Sequence, residues 1–196
     1  MTNLMIPEGL RRQVEFLKEL EKLKLVKRAN RTLDSGRFEN SAEHSWHVAL
    51  MAVILSQHSP SNIDLLKVVK MLLIHDVVEI DAGDTWLYSP DAHVASQTEA
   101  VAAERLFGIL PLPQRSEFIA LWREFEARAT DEAKFASSID GIQPLLNHLM
   151  TGDPEKGTIA LEKVRAKKEY IRSSAPELWG LVEMIIESST AKGLYR

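Results

Sequence analysis

Apolar residues recur along this chain at intervals of three and four rather than in alternation, so helices dominate the reading. Within residues 7–28, Leu10, Val14, Leu17, Leu20, Leu23 and Leu25 stand among charges, which predicts an amphipathic helix with Pro7 in its first turn. Residues 31–37 are turn-rich and aperiodic. Asn40 followed by Glu43 has the spacing of an N-cap with its capping-box partner, opening a second helix over 41–57. The third helix, 63–80, is apolar nearly all round and belongs in the middle of the fold. Gly83 ends it, and Ser89-Pro90 has the signature of a fourth helix reaching residue 110. Further helices are predicted over 113–128, 131–150, 158–173 and 176–191, with no convincing strand and no internal repeat. The expected class is all-α: a single domain over 1–196, a globular bundle of about six to eight helices.

Composition agrees with a folded domain, since hydrophobic residues are 45% and charged ones 27%, close to globular averages. With 24 Lys+Arg against 28 Asp+Glu the net charge is −4, which argues against wrapping a nucleic-acid backbone. A small phosphorylated ligand fits, because one pocket can be basic when the whole is not. The chain has no Cys, which excludes disulfides, thiolate metal sites and a Cys nucleophile, so any metal must be held by His and carboxylates. The first residues lack a signal-peptide pattern, and the longest apolar run, 48–55, falls short of the ~18 to 20 residues that span a bilayer. A cytoplasmic protein without membrane contact is expected.

The informative residues are polar ones where a core is predicted. His75, Asp76 and Glu79 lie on the apolar third helix, and a buried carboxylate without partners costs several kcal/mol or protonates. His75 and Glu79 share a face at four residues' spacing, and an ion between His75 and Asp76 takes a ligand from each. His44 continues the inward stripe Val48, Met51, Leu55 of the second helix. Alone it is equally a hydrogen-bonded core histidine; with His75 and Asp76 it points to a metal. A fourth ligand has to come from a later acid. Asp140 stands among the small residues Ala133, Ala136, Ser137 and Gly141, with Pro144 unable to donate to its carbonyl. By spacing alone, however, Asp140 reads sooner as an N-terminal or surface carboxylate.

The blocks E-N-S-A-E-H-S at 39–45, L-I-H-D-V-V-E-I-D-A-G-D at 73–84 and A-K-F-A-S-S-I-D at 133–140 resemble the HD-domain metal-dependent phosphohydrolases. The similarity covers about residues 10–150 and is greatest to the small branch of 5'-deoxynucleotidases. The resemblance implies that His44, His75, Asp76 and Asp140 ligate one divalent cation, with Mn, Co, Fe, Zn and Mg all compatible with such donors. It implies that Glu79 and Asp84 serve the attacking water and the leaving group, and that Arg28 holds the phosphate. The bacterial pattern has Trp after that Arg where this chain has Ala29, a departure that bears on base or sugar recognition. Arg37 is a second phosphate contact or a surface charge. The implied reaction is hydrolysis of a deoxynucleoside 5'-monophosphate, a small-molecule substrate. An HD hydrolase of another phosphoester and a non-catalytic binding module are the alternatives.

Other histidines carry less. His47 lines the pocket or packs, His58 and His148 are expected in solvent, and His93 is too isolated for a second metal site. A homodimer is expected from the related enzymes and from the apolar residues Leu178, Leu181, Val182, Ile185 and Ile186 of the last helix, a face that equally could cover its own core.

Overall fold

The computed structural model describes residues 6–33, 36–87, 92–152 and 159–196, with 92–96 as backbone. The chain folds as helices α1 (Glu8–Leu20), α2 (Ser41–Leu55), α3 (Leu65–Ile74), α4 (Glu79–Ala82), α5 (Ala92–Phe107), α6 (Leu112–Ala127), α7 (Asp131–Thr151), α8 (Leu161–Lys168), α9 (Tyr170–Ser174) and α10 (Pro176–Ala191). The all-α expectation holds with one addition. Between α1 and α2 runs an antiparallel hairpin of β1 (Lys27–Arg31) and β2 (Phe38–Asn40), paired Lys27 with Asn40 and Arg31 with Phe38 across a register shift. Its strands are short and polar, so no alternation signals them. They are held by pairing, by Asn147 of α7 donating to the Arg31 carbonyl at 3.1 Å, and by the Arg31 guanidinium over the Phe38 ring at 4.4 Å.

Helix α7 runs through the centre and packs on α2, α3, α6, α9, α10 and β1. Its buried face includes Ala133, Phe135, Ala136, Ile139, Gly141, Ile142 and Leu145. Thr130 caps it, accepting from the Ala133 N–H at 3.2 Å, and the helix continues past Pro144 instead of breaking there. The small residues do admit a close neighbour. The Tyr170 hydroxyl donates to the Ser137 carbonyl at 2.8 Å and fills the notch at Gly141, where a Cβ would lie 2.3 Å from that oxygen.

Three expectations are corrected. The helix predicted over 7–28 ends at Leu20, tightens into a 3-10 turn over Glu21–Leu25, and gives way to β1, so Arg28 is on a strand. Leu10, Val14 and Leu17 face outward. The helix docks instead through buried Phe16, whose ring packs edge-on to Phe118 with centroids 6.0 Å apart, and through Arg12, which donates to the carbonyls of Gly108 and Ile109 at 2.6 and 2.8 Å. The helix predicted over 63–80 breaks at its polar residues, with a 3-10 turn over His75–Val78 separating α3 from α4. On α10, Leu178, Val182, Ile185 and Ile186 are buried in the chain's own core, which removes that face as a dimer surface. The Ser89-Pro90 helix start and the His93 side chain lie outside the described residues.

Replacing Gly141 by Ala sets two effects against each other. Helix propensity favours Ala by about 1 kcal/mol, while overpacking against an anchored ring costs roughly 1–3 kcal/mol. The expected outcome for Gly141→Ala is a lower melting temperature, recovered in Gly141→Ala/Tyr170→Phe because the second change removes the colliding oxygen; thermal denaturation of the three variants checks it.

Candidate metal centre

The site forms where α2, the α3–α4 junction and α7 meet. The capping box sets the start of α2: the Glu43 N–H donates to Asn40 Oδ1 at 3.0 Å, and the Asn40 N–H to Glu43 Oε2 at 3.1 Å. That start turns Ser41, His44, Ser45 and Val48 inward. The His44 Nδ1 is 3.0 Å from Gln143 Oε1, and its Nε2 is 2.9 Å from Asp140 Oδ1. Gln143 in turn donates from Nε2 to the buried Glu39 carboxylate at 2.9 Å. An amide oxygen only accepts, so Nδ1 carries the proton and Nε2 presents its lone pair to the site.

His75 is arranged the same way. Its Nδ1 donates to the Leu72 carbonyl at 2.9 Å, which leaves Nε2 as the inward nitrogen. That atom is buried and has no hydrogen-bond partner among the described residues, although Asp76 Oδ1 is 3.0 Å and Asp140 Oδ1 3.4 Å away. One donor atom each from His44, His75 and Asp140 lies within 4.8 Å of the other two. Two oriented imidazoles, one of them orphaned, and a carboxylate are a donor set that fits a divalent cation.

Asp76 sits at the edge of this trio. Its Oδ2 is 3.8 Å from His44 Nε2 and accepts from Arg28 Nη1 at 2.6 Å. The same guanidinium nitrogen lies 3.5 Å from Glu79 Oε1 and 3.6 Å from Asp84 Oδ1, so Arg28 is the hub of three carboxylates. The Ser41 hydroxyl donates to Glu79 Oε2 at 2.5 Å. Gly83, at φ 76°, makes the turn that brings Asp84 in.

The charges explain the protonation. Burial pushes the Glu79 carboxyl up to about 9, with Asp76 adding repulsion and Arg28 opposing. Asp84 is raised chiefly by burial against the pull of Arg28. Burial works on Asp76 too, but His75 and Arg28 outweigh it and hold it at about 2. Asp140 is likewise held well below the carboxylate range, because the adjacent imidazoles of His44 and His75 outweigh its burial. Burial disfavours the charged form of His75, yet the neighbouring Asp76 and Asp140 raise it well above its ordinary value. A proton on His75 thus serves the metal-free protein as the counter-charge a cation supplies.

The structure brings together His44, His75, Asp76, Glu79, Asp84, Asp140 and Arg28. It leaves Arg37 outside: that side chain is exposed, with its two terminal nitrogens on Glu43 at 2.8 and 2.5 Å. His47 is half-buried, 3.4 Å from the Gln143 amide. His58 is paired with Glu177 at 3.0 Å. His148 is a correction: it is half-buried against Tyr195, with its buried Nε2 unpartnered among the described residues, and burial lowers its pKa. Sequence reasoning missed Gln143 and Glu39. Glu39 stood inside the first block, and Gln143 follows Asp140 by three residues on the same helix face. Beside Glu79 and Asp84, an open groove of about 640 Å³ runs against Lys22, Leu25, Val26 and Lys27.

The profile of the HD domain matches residues 20–179, so the chain belongs to the HD-domain family, and the resemblance to its metal-dependent phosphohydrolases is borne out. Among its relatives, the 5'-deoxynucleotidase HDDC2 of Xenopus laevis is 28% identical over 186 residues, 89% of this chain and 86% of that protein. A 5'-deoxynucleotidase of Cronobacter sakazakii is 24% identical, over 90% of this chain and 92% of that one. A solved structure described as a predicted metal-dependent phosphohydrolase from Magnetospirillum magnetotacticum is 38% identical, with a TM-score of 0.89 over 96% of this chain and 99% of its own.

Removing the His44 orienter should loosen the cation without emptying the cluster of donors. Gln143→Leu is expected to weaken divalent-metal affinity by about 10- to 100-fold, read by titration calorimetry. Because the His75 pKa is raised, metal binding should release a proton and the apparent affinity should climb as pH rises. Calorimetry in buffers of different ionisation enthalpy checks this, and an affinity independent of pH counts against it.

Proposed function

We propose that this chain is a metal-dependent 5'-nucleotidase that hydrolyses deoxynucleoside 5'-monophosphates to deoxynucleoside and phosphate. The observation that carries the reading is the orphaned His75 Nε2 facing His44 and Asp140, with protonatable acids and an arginine immediately beside it. In this reading His44, His75, Asp76 and Asp140 hold one divalent ion. When bound, such an ion supplies positive charge that polarises a phosphoryl oxygen and acidifies water.

The chain's own groups do the rest. Arg28 meets the phosphate, trading part of its contact with Asp76, Glu79 and Asp84 for the substrate's anionic oxygens. Glu79, raised by burial and steadied by Ser41, carries a proton at neutral pH and can deliver it to the leaving 5'-oxygen. Asp84, across from Glu79 on the same arginine, orients and deprotonates the attacking water. The deoxy preference follows the names of the relatives.

The same proposal includes a cytoplasmic location, where nucleoside monophosphates are held because charged nucleotides do not cross bilayers unaided. It includes a homodimer as well. With the α10 face buried, the outward stripe Trp46, Leu50, Val53 and Ile54 on α2 supports that assembly.

Phosphate release from deoxynucleoside 5'-monophosphates, with Mn or Co added, is expected to exceed release from ribonucleotides, triphosphates and cyclic dinucleotides. Equal rates on both sugars remove the deoxy preference; no release from any monophosphate moves the protein to another phosphoester. Glu79→Ala is expected to keep its metal and lose about 10²- to 10⁴-fold in turnover, the size of one proton-transfer contribution. Light scattering at micromolar concentration should give twice the chain mass in the parent protein and a shift toward monomer in Trp46→Glu/Ile54→Glu.

A further inference from the structure

Both ring nitrogens of His44 are met by a single turn of α7: Asp140 Oδ1 stands 2.9 Å from Nε2, and three residues further on Gln143 Oε1 stands 3.0 Å from Nδ1. Behind Gln143 lies Glu39. The alternation of β2 leaves Phe38 exposed and turns Glu39 inward, where it is buried to 6% exposure against the fully buried Gln143 and His44. A strand and two helices thus contribute to one closed line of polar groups, Glu39 to Gln143 to His44, shielded from solvent.

An amide in such a line is ambiguous by itself. Turned over, the Gln143 amide would present N–H groups to His44, whose lone pair would then sit on Nδ1 and whose proton would sit on Nε2, the nitrogen on the side of the metal centre. Glu39 removes the ambiguity. A carboxylate only accepts, so the amide nitrogen faces it, at 2.9 Å, and the same nitrogen lies 3.4 Å from His47 Nδ1. The amide oxygen is left for His44, and the proton is left on Nδ1.

A second observation concerns charge. Glu39 Oε2 is buried without a hydrogen-bond partner among the described residues, and it lies 3.9 Å from His44 Nδ1. A buried acceptor left unpaired is expensive, more so when it carries charge. Positive charge on the His44 ring offsets it, and an imidazole acquires that charge when its other nitrogen ligates a cation. We propose that Glu39 is a positioning residue for the metal centre: through the Gln143 amide it fixes the proton of His44 on Nδ1, and its buried charge makes Nε2 the stronger donor to a divalent cation. The inference rests on the metal-dependent reading above, through its ligand His44 and not through its reaction.

The probe is Zn, which is diamagnetic: its affinity for the full-length protein is read by calorimetry, and the His44 Nδ1–H proton of the Zn-loaded protein by NMR. Glu39→Gln keeps the shape and removes both the charge and the obligatory acceptor. It is expected to weaken Zn binding about tenfold or more, the scale of an outer-shell partner, and to move the Nδ1–H resonance upfield as its hydrogen bond weakens. Exchanging the two residues in Glu39→Gln/Gln143→Glu restores the direction of the line, because the carboxylate at position 143 then accepts from Nδ1–H directly and the amide at position 39 donates to it. This variant is expected to recover near-parental or tighter Zn affinity, with Nδ1–H downfield of the parent. A residue that merely fills the junction of strand and helix predicts the opposite order, since the double variant disturbs the packing in two places. If Glu39→Gln does not fold, the exchange variant decides alone: a downfield Nδ1–H supports the inference, and an unmoved or upfield one overturns it. Unchanged Zn affinity in a folded Glu39→Gln, or no recovery in the exchange variant, overturns the inference and leaves the phosphohydrolase reading intact. A parent protein that binds Zn with this pattern across the variants yet cleaves no phosphoester supports the inference and overturns that reading.

Discussion

The structure depends on the burial of more negative charge than its own cations neutralise. At the meeting of α2, the α3–α4 junction and α7, the carboxylates of Asp76, Glu79 and Asp84 share one guanidinium, that of Arg28, while Asp140 stands beside His44 and His75 and Glu39 adds another buried acid behind His44. In water this would be trivial. Inside a protein it is expensive, and the metal-free chain answers with protons, one on Glu79 and one on His75. A divalent cation answers the same imbalance with one particle, which is why the donor geometry and the protonation pattern point to the same ligand.

Much of the irregular backbone lies beside this imbalance. The long apolar helix expected in the middle of the chain tightens into a 3-10 turn at His75, where the ring takes the Leu72 carbonyl. The polar hairpin, which buries little of its own, exists in a place where β1 delivers Arg28 to the acids and is tied back to α7 through Asn147. Gly83 makes the reversal that returns Asp84. On α7, Gly141 next to Asp140 trades helix propensity for the close approach of Tyr170. Regularity is given up where the chemistry needs a side chain aimed.

The remainder of the bundle isolates that centre. Helix α7 packs on α3 and α10, and Phe135, Ile139 and Ile142 of α7, Val68, Met71 and Leu72 of α3, and Val182, Ile185 and Ile186 of α10 are all fully buried. Such packing lowers the local polarisability around the acids and imidazoles, which strengthens both the repulsion among them and their attraction to a cation. Packing and site chemistry are in this sense one problem.

The helices, the capped start of α2 and the anomaly of His75, Asp76 and Glu79 in an apolar stretch were all determined locally, since periodicity, capping chemistry and the cost of burying charge act within a few residues. Asp140 was the limiting case, because nothing within its own helix distinguishes a ligand from a surface carboxylate, and similarity to a family was needed to raise it. The tertiary structure alone decided which stripe of α1 faces inward, because Leu10, Val14 and Leu17 are as apolar as any core residue and only the position of Phe107 and Phe118 selects Phe16 instead. It alone decided that α10 covers its own core, that Arg37 turns to Glu43, and that Gln143 and Glu39 stand behind His44. Those outcomes join residues as far apart in the chain as Glu39 and Gln143, where the choice among equivalent partners is made by what the rest of the chain has already occupied.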